Sequence, residues 1–162
     1  MQRRFLLSAA AIGSAAMVAG RAFAQTGTVD ETKLPALMGG DFATATSQLA
    51  LDKTGNASVR TFAELEIAEQ AATAEAFGSE PGAAGLSQEH SAMLAQLEAL
   101  EGAEFDAMYL DGQIKGHNEL LAIHQAYASD GEDPMARGAS IVGVAGIQTH
   151  LVMLNGIRQT IG

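Results

Sequence analysis

Apolar residues in this chain recur three and four positions apart and nowhere alternate with polar ones at period two, so the pattern predicts helices and no strands. Asp41 reads as an N-cap that opens an Ala/Thr-rich helix to about Thr54, which Gly55-Asn56 ends. A second helix is predicted from about Ala57 to Phe77, and residues 78–85, rich in Gly with Pro81, then form a long connection. Ser87 caps a short third helix to Leu100. A fourth runs from about Ala103 to Ser129, the stretch Asp130-Gly131-Glu132-Asp133-Pro134 turns the chain, and the last helix reaches about Thr160. Four long helices and one short one predict an all-α bundle. Residues 25–40, with Gly27, Pro35, Gly39 and Gly40, hold no period and read as a flexible tether ahead of a domain over 41–162.

The first residues follow a different logic. Arg3 and Arg4 precede an apolar, small-residue run from Phe5 to Val18, and Ala22-Phe23-Ala24 supplies the small-x-small pattern of a signal-peptidase site. Residues 1–24 are therefore expected to be a cleaved signal peptide, and the protein periplasmic or secreted. The start Arg3-Arg4-Phe5-Leu6-Leu7 is similar to a twin-arginine signal. The apolar run falls short of the roughly 20 residues a membrane span needs, and no later segment is read as a span candidate, so no stable span is expected after cleavage.

Composition narrows the chemistry. The 162 residues carry 9 Lys+Arg against 19 Asp+Glu, and removing residues 1–24 takes three Arg and no acid, leaving a net charge of -13 in place of -10. Such a chain lacks the basic stripe that neutralises phosphates, which excludes nucleic acid and anionic membrane surfaces as partners. With no Cys, disulfides, thiolate nucleophiles and Cys-based metal sites are excluded as well. The seven Met are scattered and form no methionine-type copper site. What remains is carboxylate and imidazole chemistry.

Helical wheels show where those groups point. In the second helix Val59, Phe62, Ala63, Ala76 and Phe77 define an apolar arc, with Glu66, Gln70 and Thr73 inside it and Glu69 at its edge. The fourth helix has an arc of Phe105, Tyr109, Leu110, Gly116, Leu120, Leu121 and Ile123, with Asp106, Gln113, His117 and His124 in its middle. In the last, Met135, Ala139, Gly146, Ile147, Met153, Leu154 and Ile157 form the core stripe and His150 lies on its centre line. Polar groups on three core faces cost on the order of 1 to 3 kcal/mol each unless partnered, so Glu66, Gln70, Gln113, His117 and His150 are expected to form one network. Inward ligands on facing helices are how bundles build metal sites. Glu66, His117 and His150 are accordingly the candidate metal ligands, surrounded by Glu69, Gln70, Gln113 and, toward the bundle end, His124. The alternative makes His117 and His150 core histidines that bond Glu66, Gln70 or Gln113 and bind nothing. His90, on a stripe with Leu86, Met93 and Leu97, reads as a cap or packing residue. Gly112, Gly116, Gly138, Gly143 and Gly146 suggest close helix approach or room near the axis.

The segment 58–63, then Glu66 to Gln70, the Gly-x-x-Phe-Asp-x-x-Tyr stretch from Gly102 to Tyr109, His117, and His150-Leu151 together resemble the exported bacterial family called domain of unknown function 4142. The likeness covers about Asp41 to Ile157. It implies a ferritin-like fold, an up-down four-helix bundle with one additional short helix, and no assigned activity. Many members of that family carry a further His near the position of Gln70, so a metal site in this chain would have to use Glu66 or Glu69 in its place. Ferritin-like di-iron enzymes need Glu-x-x-His pairs, whereas Ile114 and Ile147 stand three residues before His117 and His150, which disfavours an oxygen-activating di-iron oxidase.

The sequence thus favours an exported bundle that binds a divalent transition metal or small ligand through a buried Glu/His cluster. Its rival is a structural or interaction module of the cell envelope, self-associating or holding an envelope protein, in which the polar seam only fixes helix register. An enzyme with Glu66 as general base is the third reading, and no residue pattern defines its substrate.

Overall fold

A computed structural model describes residues 30–161, and these form five helices and no strand: α1 (Leu34–Lys53), α2 (Ala57–Ala76), α3 (Gln88–Glu98), α4 (Gly102–Asp130) and α5 (Pro134–Ile161). The expected signal peptide over 1–24 and the first part of the tether lie outside the described residues. Each long helix packs on two others, α1 on α2 and α4, and α5 on α4 and α2, while α3 lies against α1 and α4.

The local signals sit where the sequence places them. Asn56 caps α2, its side chain accepting from the N–H groups of Ser58 at 2.9 Å and Val59 at 3.2 Å, and the Ser87 hydroxyl accepts from His90 N–H at 3.0 Å. Asp133, just before Pro134, accepts from the N–H groups of Met135 and Ala136 to start α5.

Helix α1 differs from expectation. It begins at Leu34 rather than Asp41, so the second half of the predicted tether is helical. Pro35 occupies the first turn, where a missing N–H costs nothing. Gly39 and Gly40 are close-contact positions and not breakers: a Cβ at Gly39 would lie 2.7 Å from Leu120 Cδ2, and one at Gly40 2.5 Å from Gln70 Oε1. Lys33, at the helix start, donates to Phe77 O at 3.1 Å and to Asp133 at 2.6 Å, tying α1 to the end of α2 and to the α4–α5 turn.

Asp41, no longer a cap, has another use. Its carboxylate accepts from the backbone N–H groups of Gly82, Ala84 and Gly85 at 2.7, 3.0 and 2.9 Å and pins the 78–85 connection to α1. Gly82 and Gly85 carry positive φ values, 85° and 73°, in the turn that presents these amides. Asp41→Ala is expected to cost about 1–3 kcal/mol of unfolding free energy in urea titrations. Asp52→Ala, an exposed acid on the same helix, should stay within about 0.5 kcal/mol.

Two apolar clusters form the core. One holds Val59, Phe62, Ala63, Leu97, Phe105, Tyr109, Leu110 and Leu154; the other holds Ala36, Leu37, Ala74, Phe77, Tyr127 and Ala136. Along α2, α4 and α5 the residues between these two sets include Glu66, Gln70, Gln113, His117 and His150, all buried. A polar layer is therefore clamped between two dry ones.

Two expectations for α5 are corrected. Met135 is 68 % exposed and Ala136 fully buried in its place, because the inward stripe runs Ala136, Ser140, Ile147, His150, Leu154. The helix is also long and apolar enough to cross a membrane by length and composition, contrary to the expectation that no later segment would be. Its Gly, Ala, Val and Thr residues are interrupted only by Arg137 and Arg158 as charges, and it leaves Ile141, Val142 and Val152 exposed while burying the opposite stripe against α4 and α2.

Candidate metal centre

Glu66 stands one turn beyond Phe62 on α2, with its side chain wholly excluded from solvent. It can be there because every oxygen is met. Oε1 accepts from Gln70 Nε2 at 2.9 Å, one turn further on, and Oε2 faces His117 Nε2 at 3.2 Å and His150 Nδ1 at 3.0 Å. The two imidazole nitrogens are themselves 3.3 Å apart. One carboxylate oxygen and two ring nitrogens, from three helices, thus form a triangle with edges of 3.0, 3.2 and 3.3 Å.

Outer contacts fix how the rings are turned. His117 Nδ1 lies 2.8 Å from Gln113 O, and since a carbonyl only accepts, this nitrogen donates and Nε2 is the atom presented to the triangle. His150 Nε2 lies 3.3 Å from Glu69 Oε2 on the far side of the ring, and Nδ1 is the atom turned to the triangle. Phe62 packs against both rings, 5.8 Å from His117 and 5.3 Å from His150 between centroids, and closes the layer from the apolar side.

The electrostatics follow from this packing. Burial pushes the Glu66 carboxyl up, but the hydrogen bonds from His117 and His150, the His117 charge and the Gln70 amide outweigh it and hold the group at about 2. His150 is raised above its ordinary value, first by its hydrogen bond to Glu66, with burial opposing and the charges of Glu66 and Glu69 adding. The anion is therefore kept, and positive charge is wanted beside it. A cation can supply that charge, or a proton can.

The structure brings Glu66, His117, His150, Gln70 and Glu69 together. Gln113 joins through its backbone carbonyl; its amide instead donates to Thr46 Oγ1 at 2.8 Å and Ala43 O at 3.3 Å across the α1–α4 seam. His124 stands apart, with Nδ1 3.0 Å from Ser140 Oγ and its ring edge-on to Phe77 at 5.7 Å, and burial pushes its pKa down. His90 stacks on Phe42 at 4.5 Å, a packing role as expected. Asp106 is buried, and its Oδ1 has no partner among the described residues. The contribution of Gly40, which leaves room for Gln70 Oε1, escaped the sequence reading because Gly39-Gly40 reads as a helix breaker. Of the interhelical glycines, Gly143 faces the His124 ring and Gly146 faces Glu69, whereas nothing lies near a Cβ built on Gly138.

Compared with known sequences, residues 15–157 match the sequence model of a family described as Domain of unknown function (DUF4142). No curated protein and no solved structure gives a match.

Proposed function

The chain belongs to the domain of unknown function 4142 family, and from that premise we propose that it is an exported helical bundle which binds a divalent transition-metal ion at Glu66, His117 and His150. The triangle of donor atoms carries the reading. Ligands about 2.0–2.1 Å from a metal stand about 3.3–3.4 Å from one another in a tetrahedral site and about 2.9 Å apart in an octahedral one. The edges of 3.0, 3.2 and 3.3 Å fall in that interval without any movement of the helices. Two nitrogens and one oxygen suit zinc, iron, copper and nickel. Glu69 and the Gln113 carbonyl orient the two imidazoles from behind, and Gln70 orients the carboxylate, the support that metal-binding side chains ordinarily have. Three protein ligands leave at least one coordination position for water or a small ligand.

The cyclic packing of α1, α2, α5 and α4 supports a ferritin-like, up-down arrangement of the four long helices, with α3 in the crossover between α2 and α4. The leader-like composition of residues 1–24 supports export to the periplasm.

Elemental analysis of the folded protein tests the reading together with its thermal unfolding. Bound metal is expected near one equivalent. Zn²⁺ at a hundred times its dissociation constant should stabilise the chain by about 2.7 kcal/mol, a rise of roughly 10 °C in melting temperature. His150→Leu should lose metal affinity by orders of magnitude while the fold survives. A melting temperature that zinc, iron, copper and nickel all leave unmoved would sink the proposal in favour of a polar seam that serves packing alone.

A further inference from the structure

A buried ion site needs a way in, and the surroundings of the triangle leave one. On the α1 side Gln70 covers Glu66, with its own Oε1 against Gly40. On the apolar side Phe62 covers both rings. The far nitrogen of His117 is sealed by a backbone carbonyl of its own helix. Among the polar partners of the triad only Glu69 reaches solvent, its side chain 37 % exposed while that of His150 is 9 % exposed.

Glu69 also lies in an open groove of about 500 Å³ between α2 and α5. The other lining residues, Ala72, Thr73, Gly146 and Thr149 among them, are uncharged, so Glu69 is the single charged group in its wall. Gly146 gives this carboxylate its place: a Cβ there would stand 3.0 Å from Glu69 Oε1. One anion in an otherwise neutral cleft concentrates the field on itself and raises the local concentration of cations.

We infer that Glu69 is the gate of the site, the carboxylate that takes a hydrated divalent cation from the α2–α5 groove and passes it beside His150 to the buried triad. The inference rests on the metal reading above and adds to it a route and a residue that govern exchange. A group that assists passage lowers the barrier in both directions, so it changes rates and leaves the equilibrium in place. Glu69 Oε2 also stands 3.3 Å from His150 Nε2, and Glu69→Gln keeps the shape of that contact while removing the charge.

The experiment follows Zn²⁺ uptake by the full folded chain in stopped flow, and Zn²⁺ release into excess chelator. Glu69→Gln should slow both about ten-fold or more. Gly146→Leu, which fills the groove beside Glu69, should slow both in the same way. Glu64→Gln, the same charge change on an exposed position of α2, should leave both rates as they were. Equal rates for Glu69→Gln and the unchanged chain would overturn the gate while leaving the triad reading intact. So would a loss of affinity that came only from faster release, which would make Glu69 a holding partner. No zinc uptake by the unchanged chain would overturn both readings, and the absent melting shift would show it independently.

Discussion

Glu66→Ala is expected to lower the unfolding free energy of the metal-free protein by about 3–5 kcal/mol and to remove its response to Zn²⁺ altogether. Both losses have one origin. The carboxylate is wholly buried and meets three side chains, Gln70, His117 and His150. Without it, the His150 proton has no buried counter-charge and the Gln70 amide no acceptor, and a cavity opens between the two imidazoles and Gln70. A single domain has only about 5–15 kcal/mol in hand, so this one change can consume a third of it or more. A companion protein separates binding from folding. Replacing Glu66, His117 and His150 together by Leu removes the buried anion along with both imidazoles that face it, a kind of replacement that is typically neutral or stabilising, and leaves the Gln70 amide as the buried group without its acceptor. The triple variant should thus melt well above Glu66→Ala and bind no zinc, as read by urea unfolding and elemental analysis. Unchanged stability and an unchanged zinc response in Glu66→Ala would mean that the triangle neither supports the fold nor binds metal.

That a polar layer would sit inside the bundle is legible in the sequence, since Glu66, His117 and His150 fall on the apolar arcs of their helices and those arcs depend only on the helical period. Its partners are less legible. A wheel gives the face a residue occupies but neither the rotation of the neighbouring helix nor its shift along the axis. Gln113 shows the consequence: it is on the expected face, yet its amide meets Thr46 on α1 and only its carbonyl reaches His117. His124 lies on the same stripe two turns from His117 and meets Ser140, a residue too small to stand out on α5. The first turns of α1, Leu34 to Gly40, are hidden for a different reason. Gly39 and Gly40 are poor helix formers in isolation, and only the approach of Leu120 and Gln70 turns the missing side chains into a packing requirement. Met135 lies in the first turn of its helix, where one residue of phase decides between core and solvent, and Ala136 takes the core position.

The second large effect is a reversal with pH. In the metal-free protein Glu66 falls from its ordinary 4.5 to about 2, so its contribution to stability is present above pH 4.5 and is lost as the pH falls toward 2. His150 is raised above its ordinary 6.5, and its contribution is complete below pH 6.5 and lost as the pH climbs through the raised value. These two groups therefore stabilise the metal-free fold most between pH 4.5 and 6.5. Metal follows the opposite course, because a cation at Nδ1 must displace the proton that His150 shares with Glu66. Affinity for Zn²⁺ should rise about ten-fold per pH unit up to the raised value of His150 and level off above it, a change of about a hundred-fold across two units. Melting curves from pH 4 to 9, with and without zinc, should accordingly diverge: the metal-free trace declines above neutrality while the zinc-induced rise grows. Exchanging His150 for Leu should flatten both arms, whereas exchanging His124, whose pKa burial lowers and which touches neither Glu66 nor Glu69, should flatten neither. A zinc affinity independent of pH between 5 and 7 would place the ion elsewhere, since no carboxylate-only surface site has a proton to lose over that range.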